Sequence, residues 1–456
     1  MINDPQPRQE LIRSRCSTRQ FLLSKTDPTL KKESRPKYSA DGMGIVTETF
    51  PRTLHGEAFL HQAAEFTGAC GSFIALAIRI DHFLWDVTEE KDDPMEKSQK
   101  SVAGVIDRVC SELEGLWGVL DADIFGCFFP FTDRPSGRDL AERIQQSLAA
   151  ESEATISIGI AVFPTLNYDR LQILENALKA LDHAAFFGPD AAVEFDAVSL
   201  NISGDQLYQE GAVAEAAEEY RQALLLDPDN VNVHNSLGVC YGIEEDWDRA
   251  LAAFGAALQI DPTETMAVYN TGVIHMLKKE NDRALKYFRK AAEKEPDIFE
   301  VAFQTGRTYL EKGAVKEAVF HLQRAAALNS EAAVVHRLLG EALEASGDEN
   351  GAVAAYRQAV KKNPNEAAAL SALGSLLDRR GEDPEIAELF CRQSIEIEPD
   401  NGLYRQRLGQ VYLRREQFKE AVEAFEAAGQ LGADCSDLLL KAAHPDKKGK
   451  HAAHRR

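Results

Sequence analysis

The sequence predicts two folds in one chain: an α+β domain, one sheet covered by helices, followed by an all-α solenoid of stacked helix pairs. Three observations predict it. Small residues recur at a fixed period over just over half of the 456 residues. Ahead of them, apolar branched runs alternate with amphipathic stretches, the pattern of strands and helices around one core. No apolar run reaches the roughly 18 residues a membrane-crossing helix needs.

The period is set by glycine. Gly204, Gly238, Gly272, Gly306, Gly340 and Gly374 lie 34 residues apart, and Gly409 follows after 35. One alanine ladder keeps the same step: Ala216, Ala250, Ala284, Ala318, Ala352, Ala387, Ala421. A second runs Ala223, Ala257, Ala291, Ala325, Ala359, then Ser394 and Ala428. Small residues belong where two helices cross. Beside them Tyr220, Phe254, Phe288, Leu322, Tyr356 and Phe425 are the right size to fill the hole. Pro228, Pro262, Pro296, Pro364 and Pro399 punctuate the units, with Ser330 in the fourth. Proline is expected to start each next unit, since it cannot continue a helix but suits a helix start.

These ladders, from Ala197 to Ala433, resemble the tetratricopeptide repeat family, whose repeat length is about 34 residues. The resemblance covers seven units and implies a right-handed superhelix of helix pairs. The sixth unit has one extra residue within Arg379 to Phe390, expected in a longer inter-helix turn. After Gly432, DCSDLLLKAAHP is expected to cap the last unit.

The α+β domain is expected over residues 45–196. HGEAFLHQAAEF reads as helix, SFIALAIRIDHF as a buried strand and EKSQKSVAGVIDRVCSELE as an amphipathic helix. LWGVLDADIFGCFFPF reads as two strands turning near Asp121–Asp123. RDLAERIQQSLAAE is a helix, ATISIGIAVFP a strand, LQILENALKALDHAAFFG a helix and AAVEFD a short last strand. Order and residues together resemble the diguanylate cyclase (GGDEF) domain. IALAIRIDHF matches its first strand, DADIFGCFFP stands at its signature hairpin, and TISIGIAVFP is like its Thr-x-Ser-x-Gly-x-Ala strand.

That family joins two GTP molecules on acid-held magnesium, and the residues needed are missing here. The first metal-binding aspartate falls on Arg79, whose guanidinium cannot ligate magnesium. The two signature glycines fall on Asp121 and Ala122, the third-position acid survives as Asp123, and the fourth falls on Ile124. The family's Lys and Asn are not recognisable in LWDVTEEKDD, and its Arg-x-x-Asp inhibitory site falls on Glu112 and Gly115. A degenerate nucleotide site therefore comprises Arg79, Asp81, Asp121 and Asp123. Three readings stand: a worn-down scaffold, a nucleotide-binding domain in which Arg79 meets a phosphate, or an active cyclase. Asp81, His82 and Asp123 are a weaker metal set, because neighbours on a strand point to opposite faces.

The repeat resemblance implies a concave groove lined by the first helix of each unit. Its residues are then Asn235, Tyr269, Asn270, Met276, Phe303, Arg307 and Arg337, with Tyr269 and Met276 receiving an apolar side chain and Arg307 or Arg337 a carboxylate. Aromatic residues and arginine commonly anchor interfaces. His234 and His336, early in their repeats, are expected to pack.

Composition limits the partners. The formal net charge is −22, which opposes general nucleic-acid binding. The ends are basic: residues 1–37 hold nine basic and four acidic side chains, and 441–456 hold six and one. Residues 1–44 are expected to be a disordered basic arm, and 436–456 a capping segment and basic tail. Seven scattered cysteines without metal spacing suggest a reducing compartment, and the start lacks a signal-type apolar core. The expectation is a cytoplasmic, bacterial, non-enzymatic adaptor without cofactor. Its repeats, residues 197–435, would hold a protein or peptide. The alternative is a receptor for GTP or cyclic di-GMP that alters the groove.

Overall fold

The computed structural model describes residues 44–81, 94–130 and 136–443. The expected basic arm, nearly all of it, and the expected basic tail from residue 444 lie outside them, as does His82. The chain divides into two compact units, Met1–Ala267 and Val268–Arg456. The division does not fall at residue 196, so the first repeats belong with the sheet.

In the first unit the elements are α1 (Gly44–Thr49), β1 (Leu54–His55), α2 (Gly56–Gly68), β2 (Phe73–Ile80), α3 (Pro94–Glu112), β3 (Leu116–Asp121), β4 (Ile124–Pro130), α4 (Gly137–Ala149), β5 (Ile156–Phe163), α5 (Gln172–Ala184) and β6 (Ala192–Glu194). The sheet order is β1-β3-β4-β2-β5-β6. β2 runs antiparallel to both β4 and β5, while β1 and β6 join the edges in parallel. From β2 to β5 this is a split βαβ order, with consecutive β3 and β4 forming the hairpin. Both faces are covered, so β2 is buried almost throughout. Ile74, Leu76, Ile78 and Ile80 pack with α3 and α4; Phe73, Ala75 and Ala77 pack with α2 and α5. Gly159 is required by close approach: a Cβ there would lie 2.0 Å from the Ala177 carbonyl of α5.

Two helix pairs complete this unit: α6 (Ala197–Gln209) with α7 (Val213–Leu226), and α8 (Val231–Ile243) with α9 (Trp247–Ile260). α6 starts with Asp196 as N-cap, whose carboxylate accepts from the Ser199 amide at 2.8 Å. α10 (Thr265–Leu277) crosses the division. The second unit continues with α11 (Asn281–Lys294), α12 (Phe299–Glu311), α13 (Val315–Leu328), α14 (Ala333–Ser346), α15 (Glu349–Lys362), α16 (Ala367–Arg380), α17 (Pro384–Ile397), α18 (Gly402–Arg414), α19 (Phe418–Gln430) and α20 (Ser436–Ala443). Through α19 these pair in sequence, and α20 packs Leu438, Leu439 and Ala442 over the last pair.

The glycine ladder is explained at each step by one contact. A Cβ on Gly204 would meet the Tyr220 ring at 2.6 Å, on Gly238 the Phe254 ring at 2.5 Å, and on Gly272 the Phe288 ring at 2.7 Å. Gly306, Gly340 and Gly409 stand in the same relation to Leu322, Tyr356 and Phe425. The sixth pair differs. Gly374 faces the Ala387 carbonyl at 2.6 Å and the smaller Cys391 at 2.8 Å, so these two helices approach by backbone. The turn at 381–383 has three residues, as in most other pairs, so the extra residue does not make it unusually long; Gly381 and Asp383 both take positive φ there.

One expectation is corrected. The repeat prolines do not start helices: Pro228 and Pro262 follow the C-cap residues Asp227 and Asp261, and the next helices begin at Val231 and Thr265. They terminate the preceding helix. The turn itself is held by an Asx side chain, Asp261 accepting from the Thr263 amide at 2.8 Å and Asn363 from Asn365 at 3.0 Å. Asn329 does the same for Glu331, so this turn forms with Ser330 in place of proline. His234 and His336 lie 2.9 and 3.0 Å from the carbonyls of Pro228 and Ser330, tying each helix to its turn. Among the described residues no helix is long and apolar enough to cross a membrane.

Gly238→Ala and Gly255→Ala should therefore act in opposite directions, though they flank the same Phe254. The first forces the Phe254 ring aside, a cost of about 1–3 kcal/mol. A Cβ at Gly255 meets nothing within 4 Å, so the better helix propensity of alanine should stabilise by up to about 1 kcal/mol. Denaturant unfolding of the two variants measures both.

Candidate functional site

Two places carry the expected functional residues. The first is the end of the central strand. Arg79 is the seventh residue of β2, opposite Ile124 of β4 and Ser157 of β5. By alternation it lies on the α2 and α5 side with Ala75 and Ala77. There its guanidinium reaches Asp182 of α5 at 3.2 Å, with side-chain exposures of 30% and 36%. Asp81 is engaged at both oxygens, accepting from the Ser157 hydroxyl at 2.7 Å and the Asp190 amide at 2.8 Å. Asp121 accepts from the Ala122 amide at 2.7 Å, closing the hairpin turn on itself. The Ala122 carbonyl is taken by Gln99 at 2.7 Å.

Asp123 is the acid the structure leaves most perturbed. Burial pushes its carboxyl above the ordinary range; Arg79 opposes this and Asp121 adds to it. Arg79, Asp121 and Asp123 influence one another, while Asp81 is held by Ser157 and Asp190. Arg79 does not stand ready for a phosphate, because Asp182 already balances its charge. The metal set of Asp81, His82 and Asp123 includes a residue outside the described ones; among the described residues no group of three His, Cys, Asp or Glu suited to a metal occurs. Asp182, Ser157 and Asp190 were missed by sequence reasoning because they lie some 76 to 109 residues from their partners and belong to no motif.

The second place is the first-helix face of the repeats. Here the structure sorts the expected residues into three groups. Tyr269, Asn270 and Met276 of α10 are buried, at 2%, 0% and 4% exposure, and Asn235 of α8 is buried at 3%. These four are packing residues, which corrects their assignment as an open binding surface. The Tyr269 ring packs against Phe288 at 5.7 Å. Burial pushes its phenol up; nearby Glu300 adds to this, while Gln304 and Arg307 oppose it. Arg337 forms a second group. Its Nη1 meets Glu341 at 2.5 Å and its Nε meets Glu366 at 2.8 Å. Burial works against its charge, and the two carboxylates outweigh that and hold its pKa up. Its role as a receptor for a partner carboxylate is thereby corrected, since two carboxylates of the chain occupy the guanidinium.

Phe303 and Arg307 form the third group. They sit one turn apart on α12 and are both partly exposed. Phe303 stacks on Phe299 with ring centroids 5.8 Å apart. Arg307 is 42% exposed and its Nε contacts Glu311 at 3.1 Å, four residues along the same helix. Such an exposed i,i+4 pair is worth only a few tenths of a kcal/mol. Of the expected groove residues, these two keep part of their surface exposed, with Phe303 also packing against the buried residues of its own and the next helix pair.

Comparison with known proteins places the repeats. A TPR repeat model matches residues 204–242, and tetratricopeptide repeat models match 244–298, 278–333 and 333–376. Among solved structures, YrrB, described as a TPR protein with an unusual peptide-binding site, is 22% identical; the alignment covers 41% of this chain and 96% of that one, with TM-score 0.37. MamA is 26% identical over 35% of this chain and 93% of its own, with TM-score 0.33. PilF of Pseudomonas aeruginosa is 20% identical over 47% and 97%, with TM-score 0.44. No protein of curated function matches the chain.

The compensated cluster at Arg79 sets an expectation for guanine nucleotides. A ligand at a hundred times its dissociation constant adds about 2.7 kcal/mol to stability. Millimolar GTP or cyclic di-GMP with magnesium should leave the melting midpoint of the full chain unchanged. A rise of several degrees that disappears in Arg79→Ala would show that the Asp182 pair opens to admit a phosphate.

Proposed function

The chain carries tetratricopeptide repeats, and from that premise we propose that it is a protein-interaction scaffold that holds an extended peptide segment against the first-helix face of its second unit. The observation that carries this reading is the pair Phe303 and Arg307, an aromatic and a guanidinium one turn apart and both part-exposed, with Arg307 held by a single exposed pair on its own helix. An apolar side chain of the peptide packs on Phe303. A carboxylate or main-chain carbonyl of the peptide takes the Arg307 guanidinium, displacing Glu311. Arg337, held by Glu341 and Glu366, is a fixed part of the wall and contributes shape.

The 45–196 domain is read as a cyclase-like fold without turnover. Its split βαβ order supports the likeness. The Arg79–Asp182 pair supports the loss of activity, because a cation neutralised by the chain stands at the metal-binding strand position. Nothing at that cluster favours a nucleotide receptor over a scaffold.

Phe303→Ala with Arg307→Ala should remove the partners that the wild-type chain retains in cross-linking and mass spectrometry, with helicity unchanged by circular dichroism. Anchors of this type cost about 1–2 kcal/mol or more each when truncated, so the affinity of a captured peptide should fall at least about tenfold. An unchanged set of partners would refute the groove assignment.

A further inference from the structure

We propose that the open edge of β6 is a second binding site, one that takes a basic, extended peptide as an added strand of the sheet. β6 ends the strand order beside β5. In the parallel pairing, Ile158 donates to the Ala191 carbonyl at 2.8 Å, and Phe195 donates to the Ile160 carbonyl at 2.7 Å. The odd-numbered residues of β6 therefore face β5, and the backbone groups of Ala192 and Glu194 face outward. Among the described residues no strand pairs with this edge, and such an edge is a template for another chain.

The edge borders an open cleft of about 600 Å³ lined by residues 191 to 196 together with Arg138, His183 and Phe187. Six residues in extended form span roughly 20 Å, the length of a short peptide strand. Phe187 is 68% exposed, and its ring lies 5.4 Å from that of His183. It offers an apolar wall to a side chain of the incoming strand.

Charge selects the occupant. Glu194 and Asp196 stand on the edge with side-chain exposures of 58% and 49%. Arg138 comes no closer to Glu194 than 4.0 Å. Residues 45–196 hold 26 acidic and 11 basic side chains, so the domain attracts a basic segment and repels an acidic one. A basic residue across from Glu194 makes a favourable cross-strand pair. A second copy of the same edge would instead bring four carboxylates together.

The test uses the full chain and three labelled octapeptides in fluorescence anisotropy: alternating Lys and Val, the same sequence fully N-methylated, and alternating Glu and Val. The Lys–Val peptide should bind, and its N-methylated form, equal in charge but without amide donors, should bind at least tenfold more weakly. The Glu–Val peptide should not bind. Glu194→Pro removes an outward N–H without breaking a bond to β5, and should weaken the Lys–Val peptide at least tenfold. Glu194→Gln, which keeps that N–H, should weaken it less than Glu194→Pro does. Equal binding of the two cationic peptides, binding of Glu–Val as tight as that of Lys–Val, no binding of Lys–Val, or no effect of Glu194→Pro would each overturn the proposal. So would self-association of the peptide-free chain that Glu194→Pro abolishes, because the occupant would then be a second copy.

Discussion

The contact between a glycine on one helix and a large side chain on its partner is the constraint on which the repeats depend. A Cβ at any of the seven ladder positions would come within 2.5 to 2.7 Å of the facing helix. The ring or leucine that fills the space, Tyr220, Phe254, Phe288, Leu322, Tyr356 or Phe425, is buried essentially completely. Neither residue works alone. Without the glycine the helices stand too far apart, and without the large residue they leave a void; interiors tolerate neither. The sixth pair shows the rule by its exception, since Cys391 is too small to fill the space and the Ala387 backbone closes in instead. The rest of each unit, its Asx turn and its small crossing residues, serves to present that one contact at the next step of the period.

The charged residues follow a different logic: they satisfy one another. Arg79 turns to Asp182, and Arg337 lies between Glu341 and Glu366. Arg379 reaches Glu344 at 2.5 Å, and that glutamate also accepts from the Tyr356 hydroxyl at 2.9 Å. A half-buried guanidinium must find acceptors or lose solvation, and this chain supplies them from neighbouring helices. The result is rigidity on surfaces that would otherwise read as binding sites. Availability, more than residue type, separates Arg307 from Arg337, because Arg307 has one exposed partner on its own helix while Arg337 is held by Glu366 as well as by Glu341.

This difference explains what was legible in the sequence. The strands, helices and repeat period were readable because periodicity is local: β2 is a branched apolar run, and the turn after Asp121 is marked by Asp and Ala between two apolar stretches. The proline role was misread because only four residues separate one helix end from the next helix start, and both tolerate proline. The sites were less readable. Tyr269 and Phe303 occupy the same repeat position, yet only Tyr269 is closed over, by the neighbourhood of Glu300, Gln304 and Arg307. Whether a groove residue is open depends on what the next repeat carries, and spacing does not report that. The Asp196 and Ser199 cap was visible as a helix start, but not the fact that His183, 13 residues earlier than its Asp196 partner, joins it at 3.5 Å.

That last contact bears on why the α+β domain and the repeats share a chain. A stack of helix pairs exposes the apolar flank of its first pair unless something covers it. Leu200 and Ile202 of α6 would form such a flank, and in the structure they are 0% and 8% exposed. α5 packs on α6, and Lys179 reaches Glu219 of α7 at 2.7 Å, both side chains less than one-fifth exposed. His183 meets Asp196 and Ser199 at the N-cap of α6. The sheet therefore supplies the cover for the first repeat, as α20 does for the last. The α+β domain does this physical work through the α5 face and its ion pairs.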